Sequence, residues 1–252
     1  MRNDIHMFVA ANWKMNLDKN SILKFTKSLH KFKFSNKVNA CIFPPMTYID
    51  YLYNLINNLP ISVGGQNCHF KSFGAFTGEV SANFLKDTGC EYVLVGHSER
   101  RILNKENNAE IKSRAETALK SNLKVILCLG ENLTDREEGK ALEYIERQIN
   151  ECLPNNFKDL FIAYEPIWSI GTGKIPSAFE IQEMHSHIKK IVFRISKKNI
   201  NVLYGGSVNT DNVKEILKTT NVDGVLVGGA SLKAKDFLAI YSAAVKHLDT
   251  SS

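Results

Sequence analysis

Residues 92–130 read YVLVGHSERRILNKENNAEIKSRAETALKSNLKVILCLG. Two nearly continuous apolar runs, at 92–97 and 124–130, flank an amphipathic, helix-like stretch at Glu106–Ser121. Continuous apolar runs of this length are typical of strands that are buried on both faces, as in a parallel sheet. The segment therefore predicts a strand–helix–strand unit in which the two strands are parallel.

The same alternation recurs along the whole chain of 252 residues. Six further strand-like runs lie at 7–13, 39–44, 61–66, 160–165, 201–206 and 224–229. Further helix-like stretches lie at Leu17–Phe34, Asp135–Cys152, Ala178–Lys197, Asp211–Thr219 and Lys235–Leu248. This pattern predicts an α/β protein with a single (β/α)8 barrel domain over residues 1–252. A doubly wound open sheet is the alternative, but Asn12-Trp13-Lys14 stands where its usual G-x-G-x-x-G turn would follow the first strand.

Composition and charge exclude several classes of protein. Apolar residues make up 44% of the chain, yet no run approaches the roughly eighteen residues of a membrane span. The net charge of +6 is scattered, so we expect no nucleic-acid partner, although a mildly positive field favours a small anionic substrate. The N-terminus lacks the apolar region of a signal peptide. The five cysteines are odd in number, widely spaced and without a C-x-x-C pair, so we expect a cytoplasmic protein with reduced thiols and no metal site.

Polar residues and glycine turns follow the predicted strands at their carboxyl ends, where barrel enzymes carry their active sites. In chain order these are Asn12 and Lys14 after the first strand, His97 after the fourth, Glu165 after the sixth, and the turns 205–207 and 228–230 after the last two. Each of these features alone is common in ordinary proteins. Together they predict one site at one rim of the barrel.

The residue types at this rim suit a particular chemistry. Glycine lets backbone N–H groups approach an anion, and the turns after the last two strands of this fold usually hold phosphate. A carboxylate and a neutral imidazole across a small pocket suit proton abstraction beside a carbonyl group. Glu165 would take the C–H proton, His97 would donate to the oxygen, and Lys14 would stabilise the developing negative charge.

Other chemistries fit these residues less well. A Schiff-base aldolase would need a buried lysine late in the barrel, where the sixth strand ends on glutamate instead. A metal hydrolase would need clustered ligands, whereas His185 and His187 would point to different faces of a helix. The fragment 171–174, Gly-Thr-Gly-Lys, lacks the glycine spacing and the following Ser or Thr of a P-loop.

Ordered motifs along essentially the whole chain resemble those of the triosephosphate isomerase family. The matching segments are NWKMN (12–16), GAFTGEVS (74–81), GHSERR (96–101), CLGE (128–131), AYEPIW (163–168), IGTGK (170–174), YGGSV (204–208) and LVGGASL (226–232). The resemblance implies a TIM barrel enzyme of glycolysis and gluconeogenesis. It implies the cofactor-independent interconversion of dihydroxyacetone phosphate and D-glyceraldehyde 3-phosphate through an ene-diolate.

The resemblance also implies a role for each site residue, and these are the roles known for the family. Glu165 matches the base that moves the proton between the two carbons. His97 matches the neutral electrophile, held uncharged at the start of a short helix because a helix N-terminus disfavours added positive charge. Lys14 supplies a fixed positive charge, Asn12 lines the substrate site, and Glu99 matches a second active-site acid.

The segment that follows Glu165 resembles the family's lid, which closes over the substrate and excludes water. Ser169 stands where alanine is usual in the family, and Pro176 restricts the second hinge of the lid. These two departures bear on the motion of the lid rather than on the reaction. The predicted phosphate donors are Gly171, Ser207, Gly228 and Gly229, which complete the substrate-binding set with Asn12 and Lys14.

Residues 70–79 resemble the loop by which family members reach into the partner subunit, with Thr77 near its tip, so we expect a homodimer. Two rival functions remain open from the residues alone. Another phosphate-binding barrel enzyme, such as a sugar-phosphate epimerase, would share the glycine turns but not the combination of motifs. A non-catalytic binding protein on the same fold is the other rival, and the intact set of site residues speaks against it.

Overall fold

Eight parallel strands form the centre of the computed structural model of the chain, which describes residues 7–170 and 174–251. The strands are β1 Met7–Asn12, β2 Val38–Phe43, β3 Ser62–Gly65, β4 Tyr92–Val95, β5 Lys124–Leu129, β6 Leu160–Tyr164, β7 Asn201–Tyr204 and β8 Gly224–Val227. Each strand pairs with the next, and β1 pairs with β8, so the sheet closes on itself. The predicted (β/α)8 barrel is confirmed, and every predicted run coincides with a strand to within about two residues.

Both faces of each strand are buried, which explains the continuous apolar runs. Phe8 and Ala10 of β1 belong to a cluster that fills the inside of the barrel. Val9 and Ala11, which point the other way because side chains alternate along a strand, belong to the layer under the helices. Polar residues begin where the strands end, since only there do the side chains leave these two layers.

Helices cover the outside of the barrel. They are α1 Lys19–Leu29, α2 Ile49–Ile56, α3 Ala82–Asp87, α4 Ser98–Leu103, α5 Asn108–Lys120, α6 Leu133–Glu137, α7 Ala141–Cys152, α8 Ala178–Ser196, α9 Val213–Lys218 and α10 Ala234–Ser251. The prediction of one helix over Asp135–Cys152 is wrong, because Gly139 adopts φ 70° and separates α6 from α7. Helices α2 and α3 were not predicted from the sequence. The first has no side-chain cap at its start, and the second has only six residues.

The beginning and the end of the described chain meet in the barrel. β1 pairs with β8, and α10 packs against β1. From α10, the hydroxyl of Tyr241 lies 2.8 Å from the carbonyl oxygen of Ser35 and 3.0 Å from that of Val38. We therefore propose that the chain forms a single domain.

The five cysteines are all buried, and none forms a disulfide. Burial raises the pKa of Cys68 and that of Cys90 to about 12, so these thiols stay protonated at neutral pH. Within 7–170 and 174–251, none of the helices combines the length and the apolar character that crossing a bilayer requires.

Candidate active site

The carboxyl ends of the strands surround a cavity of about 310 Å³. The structure brings seven of the predicted residues to its wall although they are far apart in the sequence. They are Asn12, Lys14, His97, Glu165, Ser207, Gly228 and Gly229. Glu99 lies next to this cavity, on the wall of a neighbouring groove of about 620 Å³. Gly171, the remaining predicted phosphate donor, lies outside the described residues.

The backbone of Glu165 is held tightly between the ends of β5 and β7. Its N–H donates to the carbonyl oxygen of Leu129 at 2.7 Å. A Cβ on Gly130 would lie only 1.8 Å from the carbonyl oxygen of Glu165, and a Cβ on Gly205 would lie 3.0 Å from its Cγ. Position 130 therefore has no room for a side chain, and a side chain at position 205 would press against that of Glu165, so this close packing limits the directions open to the carboxylate.

The two oxygens of the Glu165 carboxylate have different surroundings. Oε2 accepts a hydrogen bond from the backbone N–H of Ser98 at 2.9 Å. Oε1 lies 3.1 Å from Nε2 of His97, but that contact lacks hydrogen-bond geometry, and Oε1 has no hydrogen-bond partner in the described part of the chain. Since the side chain is only 2% exposed, water does not screen this oxygen. Oε1 is therefore a buried acceptor without a hydrogen-bond partner, on a residue that lines the cavity.

His97 caps the N-terminus of α4 with its imidazole ring. The backbone N–H of Glu99 donates to Nδ1 at 3.3 Å. An imidazole nitrogen that accepts cannot carry a proton, so the ring is neutral and its proton is on Nε2. The Nε2–H group is thus the donor that His97 presents beside Glu165. The short helix expected after His97 is present as α4.

Lys14 is fixed by contacts to its backbone as well as to its side chain. Its φ of 53° is unusual for a lysine, and Asn12 Oδ1 accepts from its N–H at 3.0 Å. Gln66 Nε2 donates to the carbonyl oxygen of Lys14 at 2.7 Å and to that of Phe43 at 3.0 Å. Nζ forms an ion pair with Glu99 Oε1 at 2.6 Å. The ammonium group is therefore held at the cavity wall rather than swinging freely in solvent.

Gln66 is a site residue that the sequence analysis missed. The signal was its place as the last residue of the third predicted run, 61–66, whose polar end was not included among the candidate site residues. Its amide group donates both to the loop after β1 and to the last residue of β2. It positions Lys14 through the backbone.

The turns after β7 and β8 leave room for a ligand near the lysine. A Cβ on Gly228 would lie 3.6 Å from Cε and 4.0 Å from Nζ of Lys14, so a side chain there would occupy the space beside the ammonium group. A Cβ on Gly229 would meet nothing within 4 Å. Ser207 faces the same space from the β7 turn. Small residues at these positions leave space for a ligand beside the Lys14 ammonium group.

Glu131 ties the start of the loop after β6 to the barrel. Its carboxylate is fully buried, and Oε1 accepts from the indole N–H of Trp168 at 2.9 Å and from the hydroxyl of Tyr164 at 3.0 Å. Arg136 donates to the same oxygen at 3.0 and 2.7 Å. The end of β6 that carries Glu165 is therefore anchored on both sides of the base.

No cluster of three or more His, Cys, Asp or Glu residues suited to a metal ion occurs in the described ranges. The two helical histidines, both in α8, do point apart. His185 Nδ1 lies 3.1 Å from the carbonyl oxygen of Asn221, whereas His187 Nε2 lies 3.0 Å from that of Leu142. Burial lowers the pKa of His185 to about 3, so it is a neutral core residue.

Comparison with known proteins identifies the family to which this site belongs. A family model described as triosephosphate isomerase matches residues 7–244. A triosephosphate isomerase from Rhizobium meliloti is 42% identical over 250 residues, which cover 96% of this chain and 98% of the relative. One from Finegoldia magna is 43% identical over 238 residues, covering 91% and 95%. One from Dictyostelium discoideum is 41% identical over 247 residues, covering 94% and 96%. The chain therefore belongs to the triosephosphate isomerase family.

Proposed function

We propose that Glu165 and His97 carry out the reaction of this isomerase, the interconversion of dihydroxyacetone phosphate and D-glyceraldehyde 3-phosphate without a cofactor. The observation that carries the proposal is the unpaired Oε1 of Glu165, which lies 3.1 Å from the Nε2 atom of His97 at the cavity wall. Oε1 would take the proton from one carbon and return it to the next. The Nε2–H group would donate to the carbonyl oxygen, so that an ene-diolate forms between the two steps.

Lys14 is the proposed electrostatic partner of that intermediate. Its ammonium group is fixed at the cavity wall, so it can stabilise an oxyanion without reorganising. Asn12 supports it by accepting from the Lys14 N–H and also lines the cavity. Glu99 pairs with Lys14 through its carboxylate and donates its backbone N–H to Nδ1 of His97 at 3.3 Å, so we propose that it orients both groups.

The phosphate group of the substrate is proposed to bind the turns after β7 and β8. Ser207, Gly228 and Gly229 would offer backbone N–H groups there, and Gly171 is proposed as a further donor. Support comes from the open space at Gly229 and from the position of Lys14 beside Gly228. A phosphorylated three-carbon substrate would then reach from these turns to Glu165 within one cavity of about 310 Å³.

The function is tested most directly with the purified protein alone. With no added metal or nucleotide, it should convert glyceraldehyde 3-phosphate to dihydroxyacetone phosphate, and NMR identifies the product without a coupled enzyme. In deuterated water the product should carry deuterium at one carbon, because a carboxylic acid that exchanges with solvent returns the proton. Folded protein that shows no conversion would overturn the proposed roles of the rim residues.

We propose that the active form is a homodimer in which the loop at residues 70–79 reaches into the partner. The stem of this loop is closed, since His69 N–H donates to the carbonyl oxygen of Val80 at 2.8 Å and Thr117 Oγ1 donates to that of Phe70 at 2.9 Å. Thr77 lies near its tip, and Phe73 in the same loop is 80% exposed to solvent. The groove of about 620 Å³ beside Lys14 is partly apolar. We propose that this groove binds the loop tip of the second copy in the dimer.

Sedimentation at micromolar concentration should give the mass of a dimer for the wild-type protein. Phe73→Asp should shift the mass toward that of the monomer and lower activity, because a charge would enter the apolar contact. Phe193→Asp is the matched control, since Phe193 is also exposed but lies on α8. A fully active wild-type monomer would refute the dimer.

The proposed location is the cytoplasm, where the first half of sugar breakdown supplies triose phosphates. The five buried and unpaired thiols support this proposal, because a reducing compartment keeps such thiols free.

A further inference from the structure

Ser169 occupies a buried position between the loop after β6 and the turn after β7. It is the last residue of the short turn Ile167–Ser169 and is fully buried. Its Oγ lies 2.7 Å from the carbonyl oxygen of Lys174, 3.4 Å from the amide nitrogen of Ser207 and 3.5 Å from the hydroxyl of Tyr204. The Ser207 hydroxyl in turn donates to the carbonyl oxygen of Ser169 at 2.6 Å. One small side chain thus joins two stretches that border the substrate cavity.

The donor and the acceptor in each of these hydrogen bonds can be assigned from the chemistry of the groups. A carbonyl oxygen only accepts, so the Ser169 hydroxyl donates its single proton to Lys174, and the Ser207 hydroxyl donates its own to Ser169. Burial raises the pKa of Tyr204 to about 12, so that hydroxyl keeps its proton and is the donor in the 3.5 Å contact. Ser169 Oγ therefore accepts from Tyr204 and from the Ser207 N–H. Ser207 has only that N–H left to offer a ligand.

We propose that Ser169 is a positioning residue whose hydroxyl holds Lys174 against the phosphate turn and releases the Ser207 N–H to the phosphate of the substrate. The inference rests on the phosphate site proposed above. A charged phosphate oxygen binds an N–H more strongly than a neutral hydroxyl at 3.4 Å does, so the ligand wins this competition. The hydrogen bond to Lys174 uses the Ser169 hydroxyl proton, whereas the contact with the Ser207 N–H uses a lone pair of the same oxygen. The bond to Lys174 therefore persists when the phosphate is bound.

Replacement of Ser169 by alanine would separate the two effects. The Ser207 N–H would lose its competing acceptor, so we expect phosphate to bind about two- to fivefold more tightly. The carbonyl of Lys174 would lose the Ser169 donor at 2.7 Å, so Lys174 would be placed less reproducibly and kcat should fall about three- to tenfold. If Ser169 served packing alone, its replacement would weaken phosphate binding and lower turnover together.

The experiment compares Ser169→Ala with the wild-type enzyme and with Thr26→Val. The control removes another buried hydroxyl, which donates to the carbonyl oxygen of Leu23 within α1, away from the substrate cavity. Competitive inhibition by inorganic phosphate reports the affinity, and steady-state kinetics with glyceraldehyde 3-phosphate report kcat and KM. We expect a lower inhibition constant and a lower kcat for Ser169→Ala, and neither change for Thr26→Val.

Two results would overturn the proposal while leaving the phosphate site intact. One is a variant with the inhibition constant and kcat of the wild-type enzyme. The other is a parallel loss of affinity and turnover, which would indicate a packing role. If inorganic phosphate does not compete with substrate in the wild-type enzyme, the phosphate site itself is misplaced, and the role of Ser169 is refuted with it.

Discussion

Glu165→Gln is expected to lower kcat by about 10²–10⁴-fold or more, because it removes the proposed general base. Glutamine has nearly the same shape, and its amide oxygen can still accept from the Ser98 N–H, which now donates to Oε2 at 2.9 Å. The variant loses the basic lone pair of Oε1 that would accept the substrate proton, and Oε1 has no hydrogen-bond partner in the described part of the protein. Substrate should still bind, since the Lys14 ammonium group and the turn at Gly228 are untouched.

Steady-state kinetics and solvent deuterium incorporation test this expectation together. A variant without the base should lose both turnover and the exchange of deuterium into the substrate, and circular dichroism should show an intact fold. Glu215→Gln is a suitable control, since it makes the same change in an exposed ion pair with Lys218 on α9. Turnover near the wild-type rate in Glu165→Gln would remove Glu165 from its proposed role.

The barrel and the composition of its rim could be predicted from the sequence because both follow from local patterns. The run at 160–164 is apolar on both faces because Ile162 packs under the helices while Phe161 and Ala163 fill the barrel. Glu165 is the first residue past that strand, so the change from apolar to charged marks the strand end. Parallel strands that close into a barrel bring all such ends to one rim, whatever their separation along the chain.

The contacts that determine how the site works could not be predicted, because they join residues far apart in sequence through backbone atoms. The Ser98 N–H reaches Glu165 across 67 positions, and Gln66 reaches the Lys14 carbonyl across 52. Neither contact can be predicted from the spacing of residue types, since any residue could supply the backbone atom. Ser169 illustrates the same limit: the sequence shows an unusual serine, but only the fold shows that its hydroxyl meets Ser207.

His97→Asn is expected to lower kcat by about 10²–10³-fold with little effect on the fold. The imidazole has two separate tasks, and asparagine replaces only one of them. Its Oδ1 can accept from the Glu99 N–H in place of Nδ1, since asparagine is among the most favoured residues at a helix N-cap. It cannot present a donor where Nε2–H now lies, 3.1 Å from Oε1 of Glu165.

The variant therefore distinguishes an electrophile from a structural cap. If His97 served only to start α4, asparagine would preserve activity as well as stability, and a kcat near that of the wild type would refute the proposed role. If His97 polarises the carbonyl oxygen, the thermal midpoint should stay close to that of the wild type while kcat falls and KM changes little. His30→Asn provides the matched control, because this exposed imidazole lies outside the cavity and its loss should leave kcat unchanged. A large loss confined to His97→Asn would assign the lost rate to the Nε2–H donor, since the capping contact and the Glu165 base both remain.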